Sequence, residues 1–318
     1  LKLEPQTLAN EFSQLGIHPA SEAIFLHKSE IVPLKILDIR TPAANIIKQE
    51  MLACGGECAI PAGCVVCAEE RVDVILLGTY KHYARLLEKL TQMPYFGMAG
   101  IKSELMAILD APIPQTILAD GRTLNYDKML VMGILNITPD SFYAGSRVPQ
   151  LEQVVEKAGE MLRQGAAVLD IGGESTRPGS DAVTADEEQK RVVPVIKALK
   201  ERYPACVISI DNYRASTAEA ALAAGADIIN DVTAMEGDAA MSDLVVGSKV
   251  PIILMHMRGT PKNMQQNCEY KNVVTEVAAY LLQRAKVLEN RGVAKEKIIF
   301  DPGIGFAKNI EQNLQLMQ

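Results

Sequence analysis

From residue 129 to the end of the chain, six short apolar runs alternate with longer amphipathic stretches, and each run closes on a polar residue. The runs fall at residues 129–134, 167–171, 207–210, 227–230, 251–255 and 297–300. The stretches between them fall at 151–163, 185–202, 216–224, 239–246 and 273–291, and a last one opens near 310. Continuous aliphatic and β-branched runs read as strands buried on both faces. Strand–helix alternation with short links requires a parallel sheet with right-handed crossovers. The segment Gly165-Ala166-Ala167-Val168-Leu169-Asp170 is echoed by Gly225-Ala226-Asp227-Ile228-Ile229-Asn230, as expected of a repeated βα unit. The expected fold is α/β, a TIM (β/α)8-type barrel with six βα units in this chain, preceded by a smaller α/β domain.

The count itself carries an expectation. A barrel of this type has eight strands in roughly 250 residues, whereas residues 129–318 supply six. An open arc leaves unpaired edges. The sequence is therefore expected to be truncated at its carboxyl end, the alternative being closure by the leading domain. Leu1 in place of Met points to a trimmed amino end.

The strand-end residues are Asn136, Asp170, Asp211, Asn230, His256 and Asp301. Any one of them could simply cap the following helix. At equivalent ends of barrel strands they would converge over one mouth, the edge where such folds bind ligands. Two loops rise from that edge. The first runs Leu135-Asn136-Ile137-Thr138-Pro139-Asp140-Ser141-Phe142, where Pro139 blocks both strand pairing and helix. The second runs Gly172-Gly173-Glu174-Ser175-Thr176-Arg177-Pro178-Gly179-Ser180. Its glycines permit close backbone approach to a ligand, and its hydroxyls and Arg177 suit an anion or a carboxylate.

Residues 1–112 read as a separate α/β domain of unassigned role, with strands at 36–39 and 72–77 and helices at 42–52, 80–90 and 104–109. Ala111-Pro112-Ile113-Pro114 is the expected linker, so the barrel domain is set at 113–318, and a small hairpin is expected around Asp120-Gly121. His18, His27 and His82 are scattered and read as structural. Cys54, Cys58, Cys64 and Cys67 crowd together; four thiolates could hold zinc or an iron–sulfur cluster, or could be small buried residues in a reducing compartment. A net charge of −7 with no basic block argues against a nucleic-acid surface. No apolar stretch approaches a membrane span and no charged, then apolar, leader opens the chain, so a cytoplasmic protein is expected.

The segment 133–142, followed by Asp170-Ile171-Gly172-Gly173-Glu174-Ser175-Thr176-Arg177-Pro178-Gly179, resembles the two signatures of the dihydropteroate synthase family. Ser209-Ile210-Asp211, Ile229-Asn230-Asp231, Leu254-Met255-His256-Met257-Arg258-Gly259 and Asp301-Pro302-Gly303-Ile304-Gly305-Phe306-Ala307-Lys308 continue the resemblance in family order. It covers about residue 117 to the end. It implies a transferase of folate biosynthesis that joins p-aminobenzoate to 6-hydroxymethyl-7,8-dihydropterin pyrophosphate and releases pyrophosphate.

By that resemblance Asp211, Asn230 and Asp301 hold the pterin ring. Met255 and Phe306 sandwich it, and Lys308 reaches its carbonyl. Asn136 faces the pyrophosphate and a Mg²⁺ ion, and Asp170 supports the first loop or the pterin side. Thr176 and Arg177 move over the reacting centre while Pro178 shapes the p-aminobenzoate site, and Thr138, Pro139, Asp140, Ser141 and Phe142 form the other lid. Asp211, Thr176, Arg177 and Asn136 are the expected catalytic residues. The family also carries a later Ser-Arg-Lys-type segment and a final Arg-x-His segment; neither is in this sequence, so the 318 residues alone are expected to be weakly active or inactive and the full-length protein a homodimer. Two rivals share the barrel: a methyltetrahydrofolate-binding corrinoid methyltransferase domain, and a non-catalytic pterin-binding scaffold. The two signature loops point away from the first.

Overall fold

The computed structural model describes residues 14, 15, 18, 30–110, 113–137, 147–174, 183–259, 264 and 268–317. The chain divides into two units, Leu1–Pro112 and Ile113–Gln318. In the first, β1 (Val32–Arg40), β2 (Glu57–Ala59) and β3 (Arg71–Gly78) form an antiparallel sheet in the order β1–β3–β2. Three helices accompany it: α1 (Thr41–Cys54), α2 (Tyr80–Leu90) and α3 (Met98–Leu109). Side chains alternate along β3, so Val72, Val74 and Leu76 form one core with Ile47 and Met51 of α1 and Leu86 of α2.

Sequence periodicity anticipates α1, α2 and the two long strands but misses β2 and the first half of α3. β2 is only three residues long, too short to carry a period, and exists through pairing with β3. Gly97 and Gly100 make the start of α3 read as a loop, but burial of Met98 and Leu105 overrides that weak preference. His82 is structural: its Nδ1 accepts from the Thr79 backbone N–H at 3.3 Å, closing a capping box at the start of α2.

The second unit opens with a hairpin of β4 (Gln115–Ile117) and β5 (Thr123–Asn125). Then follow β6 (Val131–Asn136), α4 (Arg147–Arg163), β7 (Ala166–Gly172), α5 (Ala185–Arg202), β8 (Val207–Asp211), α6 (Ala215–Ala223) and β9 (Ile228–Asp231). The unit continues with α7 (Met241–Ser248), β10 (Ile252–Met255), α8 (Val273–Glu289), β11 (Ile298–Asp301) and α9 (Ile310–Leu316). β6 to β11 pair in sequence order and all in parallel, giving six consecutive units of a (β/α)8-type barrel. Among the described residues β6 and β11 each pair on one side only, and Val131, Ile134 and Phe300 are exposed along those edges.

Period-two alternation sends each strand into two cores. Leu135, Leu169, Ile171, Ile208, Ile210 and Leu254 face the helices and pack with Val192, Ile196 and Leu199 of α5 in the main core. From the opposite strand faces, Val168, Val207, Ile228 and Ile253 gather around Leu118 from the hairpin turn. The hairpin therefore floors the amino-terminal end of the barrel. Arg122 secures it, donating to Asp227 at 2.6 Å and to the Ala205 carbonyl at 2.8 Å, and Lys297 Nζ reaches the Ile117 carbonyl at 3.0 Å. Among the described residues no helix is long and apolar enough to cross a membrane.

Candidate active site

The apolar floor determines what lies above it. Two residues further along each strand, the inward positions are Asp170, Ser209, Asn230, Met255 and Asp301, with Asp170 opposite Ser209 and Met255 opposite Asp301 in register. In the strand register Asn136, Gly172, Asp211 and Asn230 align one with the next. The interior thus changes from aliphatic to oxygen-rich over one strand repeat. Asn136, Asp170, Asp211, Asn230, Met255 and Asp301, all expected from the sequence to line the mouth, are brought together.

Their polar atoms are incompletely paired. Asn230 Nδ2 donates to Asp170 Oδ2 at 3.2 Å. Among the described residues, Asp170 Oδ1 and Asn230 Oδ1 are buried acceptors with no hydrogen-bond partner. Unpaired buried acceptors are costly, and natural folds keep them where a ligand supplies the donor. Burial pushes the Asp211 carboxyl well above the usual carboxylate range, and the charges of Asp170, Glu188, Asp231 and Glu174 push it further. Burial likewise raises Asp170, with a further contribution from Asp301. Asp231 has a local role: it accepts from Thr233 N at 2.8 Å, Thr233 Oγ1 at 2.7 Å and Met235 N at 2.7 Å, fixing the turn after β9. The mouth therefore suits a ligand rich in N–H donors, and disfavours a free anion except where a cation accompanies it.

Gly172 and Gly173 have a reason for being glycine other than the close ligand approach expected from the sequence. A Cβ at Gly172 would lie 3.1 Å from Asn136 Oδ1 and 3.3 Å from Asp211 Oδ2. These two oxygens therefore lean over the glycine from opposite sides. A Cβ at Gly173 would meet Glu188 Cγ and Val192 Cγ1, each at 2.8 Å. The second glycine lets α5 approach the strand end.

Sequence reasoning missed a clamp beneath the second loop. Arg214 Nη1 donates to Glu174 Oε2 at 2.6 Å and to Glu188 Oε2 at 2.8 Å, while the guanidinium stacks 4.3 Å from the Tyr213 ring centre. Arg191 Nη1 adds a bond to the Gly173 carbonyl at 3.0 Å. Glu188 is 1% exposed and lies on the buried stripe of α5 with Val192, Val195, Ile196 and Leu199. An acidic residue in register with that stripe was the available signal.

Two expectations change. His256 does not join the mouth: Met255 points inward, so the next residue points outward, and the imidazole packs edge-on against Tyr280 of α8 at 5.0 Å. Lys308, expected to reach a ligand carbonyl, turns into the protein. Its Nζ lies 2.8 Å from the Phe306 carbonyl, 3.0 Å from the Gly303 carbonyl, and 3.1 Å and 3.3 Å from Nδ1 and the carbonyl of His256. Phe306 is half-buried on the same loop. Thr138, Pro139, Asp140, Ser141, Phe142, Thr176, Arg177 and Pro178 lie outside the described residues.

Among the described residues no three histidine, cysteine or acidic side chains gather as metal ligands. Cys54, Cys58 and Cys64 are buried and Cys67 is exposed, and burial pushes the Cys58 thiol up to about 11.

A family model described as "Pterin binding enzyme" matches residues 132–318. A "Probable bifunctional folylpolyglutamate synthase/dihydropteroate synthase" of Haloferax volcanii is 36% identical over 286 residues, 86% of this chain and 33% of the relative. That alignment is too long for the second unit alone and runs back into the first. Dihydropteroate synthase of Escherichia coli (strain K12) is 39% identical over 201 residues, 63% of this chain and 71% of the relative. The chain thus spans about a third of the length of the haloarchaeal relative. Among solved structures, Xanthomonas albilineans dihydropteroate synthase with 4-aminobenzoic acid superposes with a TM-score of 0.58 at 40% identity, covering 65% of this chain and 72% of that one. Burkholderia cenocepacia dihydropteroate synthase complexed with 7,8-dihydropteroate gives 0.56 at 38% identity, covering 64% and 69%.

Proposed function

The chain belongs to the pterin-binding enzyme family, and from that premise we propose that it is the dihydropteroate synthase portion of its protein, joining p-aminobenzoate to 6-hydroxymethyl-7,8-dihydropterin pyrophosphate. The observation that carries the reading is the pair of buried, unpartnered acceptors, Asp170 Oδ1 and Asn230 Oδ1, beside the carboxyl of Asp211. The pterin edge presents amino and ring N–H donors, and a site that leaves acceptors waiting discriminates strongly in favour of such a ligand. Met255 supplies apolar surface at the same level as Asp301.

In the reaction the bond between the pterin methylene carbon and its oxygen breaks, and the electron pair leaves with the diphosphate. The nitrogen lone pair of the arylamine then forms the new C–N bond, and the amine proton passes to solvent. The pterin cation exposed between these events is stabilised by ionised Asp211, with the charge of Asp170 behind it. Departure before attack makes water the competing nucleophile, so positioning and water exclusion matter more than a strong base. The Arg214 clamp contributes by holding Glu174, and with it the base of the second loop, at the edge of the mouth.

Asn136 Oδ1 and Asp211 Oδ2, facing each other across Gly172, are the hard oxygen donors that suit Mg²⁺ alongside diphosphate oxygens. Bound there, the ion would neutralise charge developing on the leaving group. The resemblance extends the reading to a cytoplasmic homodimer, which sedimentation of the intact protein checks.

The test is pyrophosphate release by the intact protein with p-aminobenzoate present or withheld, together with positional oxygen exchange in the pterin pyrophosphate. Exchange without the amine is the expected result. Bond cleavage that depends strictly on the amine would rule out the dissociative order, and no release under either condition would rule out the activity.

A further inference from the structure

We propose that Lys308 is a positioning residue, a buried staple that fixes the loop between β11 and α9 so that Phe306 and Asp301 face the mouth, and that it does not touch the heterocycle. The proposal rests on the pterin-binding reading of that mouth. An ammonium group has three N–H donors. Lys308 Nζ is surrounded by four acceptors, the Phe306 and Gly303 carbonyls at 2.8 and 3.0 Å and His256 Nδ1 and carbonyl at 3.1 and 3.3 Å. The side chain is 3% exposed. All three donors are engaged within the protein, and none is left for a ligand.

The loop needs such a staple. Gly303, Gly305 and Ala307 all take left-handed backbone conformations, with φ of 69°, 85° and 52°. An alanine in that region costs about 1–2 kcal/mol, and two carbonyls turned inward would go unsatisfied without a donor. Gly303 cannot be replaced there, because a Cβ would lie 2.1 Å from the His256 carbonyl. The other side of the loop is tied by Tyr270, whose hydroxyl donates to the Ala307 carbonyl at 3.0 Å, and Asn313 Oδ1 accepts from Gly305 N at 2.9 Å. At the start of the loop, Asp301 Oδ1 accepts from Gly303 N at 2.7 Å. A shift at residue 303 therefore re-aims the carboxylate at the mouth.

The same ammonium fixes the state of His256. With Lys308 donating to Nδ1, the imidazole proton sits on Nε2. Burial, then the Lys308 charge, then Arg258 push the imidazole down to about 4. Burial pushes Lys308 itself down to about 8, opposed by Asp301 and Cys268 and assisted by Arg258, so the group is still an ammonium at neutral pH.

The test compares two ligands on the intact protein, pteroic acid and a 2,4-diaminopteridine that lacks the ring carbonyl. A lysine gripping that carbonyl would make Lys308→Met costly for the first ligand only. A positioning lysine lowers affinity for both by the same factor, expected to be about ten-fold, and lets the His256 imidazole titrate closer to 6.5 in NMR. Loss confined to the oxo ligand, or an unmoved His256, overturns the proposal. If Lys308→Met does not fold, the Lys308 ¹⁵Nζ signal of the unmutated protein decides. Equal responses to the two ligands are expected, and a response to pteroic acid alone overturns the staple. If the unmutated protein binds neither ligand, the pterin reading itself fails and the proposal falls with it.

Discussion

The two units of this chain bury different kinds of side chain. In the first, the one buried polar side chain among the described residues is Thr41, whose hydroxyl donates to the Glu69 carbonyl at 2.5 Å. Its ion pairs, Lys35 with Asp73, Arg71 with Asp38 and the partly covered Lys89 with Glu50, all reach the surface. The second unit buries Asp170, Glu188, Ser209, Asn212, Asp231, His256 and Lys308. A stable core requires none of these, and each ionisable group taken from water costs several kcal/mol before its partners compensate. Packing alone explains the first unit. The second carries groups such as Asp170, whose unpaired buried oxygen packing alone does not explain.

The comparison breaks most decisively at Arg214. Replacing it with leucine leaves Glu174 and Glu188 without their shared partner, and Glu188 has no access to water. Removing one member of a buried pair costs about 3–5 kcal/mol. Denaturant unfolding of the second unit should register that loss, and adding Glu188→Gln should recover part of it. Lys35→Ala in the first unit should change stability by about 1 kcal/mol or less. Equal effects at the two positions would erase the distinction between the units. Ile47→Ala sharpens it from the other side. That side chain is fully buried in the first unit, so truncation should cost about 2–5 kcal/mol. Pterin affinity, measured by calorimetry at a temperature where both units remain folded, should stay within about two-fold.

Asp211→Asn comes next in size. Hydrogen bonds to an ionised carboxylate contribute about 1.5–3 kcal/mol, so pterin affinity should fall by roughly thirty-fold. The free protein should lose little stability, since a carboxyl with a raised pKa is already strained by its surroundings. The sign of the pH dependence follows from the same shift. The folded carboxyl holds its proton above the unfolded value, so its contribution to stability is greatest in acid and declines as pH rises from the usual carboxylate range toward the raised folded value. The ligand's N–H groups pair with the ionised form. Binding therefore releases a proton, and affinity climbs with pH across that window. Calorimetry in buffers of different ionisation enthalpy should detect the proton, and Asp211→Asn should abolish it. A pH-independent affinity in the unmutated protein would remove Asp211 from the ligand.

Much of this was legible before the structure, and the reasons are specific. Runs such as 207–210 and 251–255 are too apolar to be half-exposed, and their alternation with amphipathic stretches made the parallel sheet legible. Period two then sends Asp170, Asn230 and Asp301 to the barrel interior, and the stagger between neighbouring strands brings Asn230 to Asp170. His256 was misjudged because a strand's last residue and the one after it face opposite ways, and the end of β10 at Met255 could not be fixed from sequence to one residue. The inward turn of Lys308 was not legible because three left-handed residues curl its loop back under the ammonium, and an alanine at φ 52° gives no warning in sequence. The clamp of Arg214 joins positions 26 and 40 residues apart. Only the odd placement of Glu188 on an apolar stripe hinted at it.

The smallest effect, and the most localised, is expected at Gly172. An alanine there has ordinary room on most sides, but its methyl would press between Asn136 Oδ1 at 3.1 Å and Asp211 Oδ2 at 3.3 Å. Relief requires one of the two side chains to retreat by a few tenths of an ångström. Overpacking of this kind costs about 1 kcal/mol at its mild end, so unfolding should hardly register it. The two oxygens are the pair proposed to face the metal-bound diphosphate, so the loss should appear as a higher Mg²⁺ concentration for half-maximal pyrophosphate release, by about five-fold, the factor a 1 kcal/mol penalty implies. The first unit offers the control. Gly56 is more tightly crowded, with a Cβ that would meet Met51 Cε at 2.5 Å and the Leu77 carbonyl at 3.0 Å. Gly56→Ala should therefore lower stability and leave the Mg²⁺ dependence where it was. If Gly172→Ala behaves in the same way, the glycine serves packing alone, and Asn136 and Asp211 need not act as a pair.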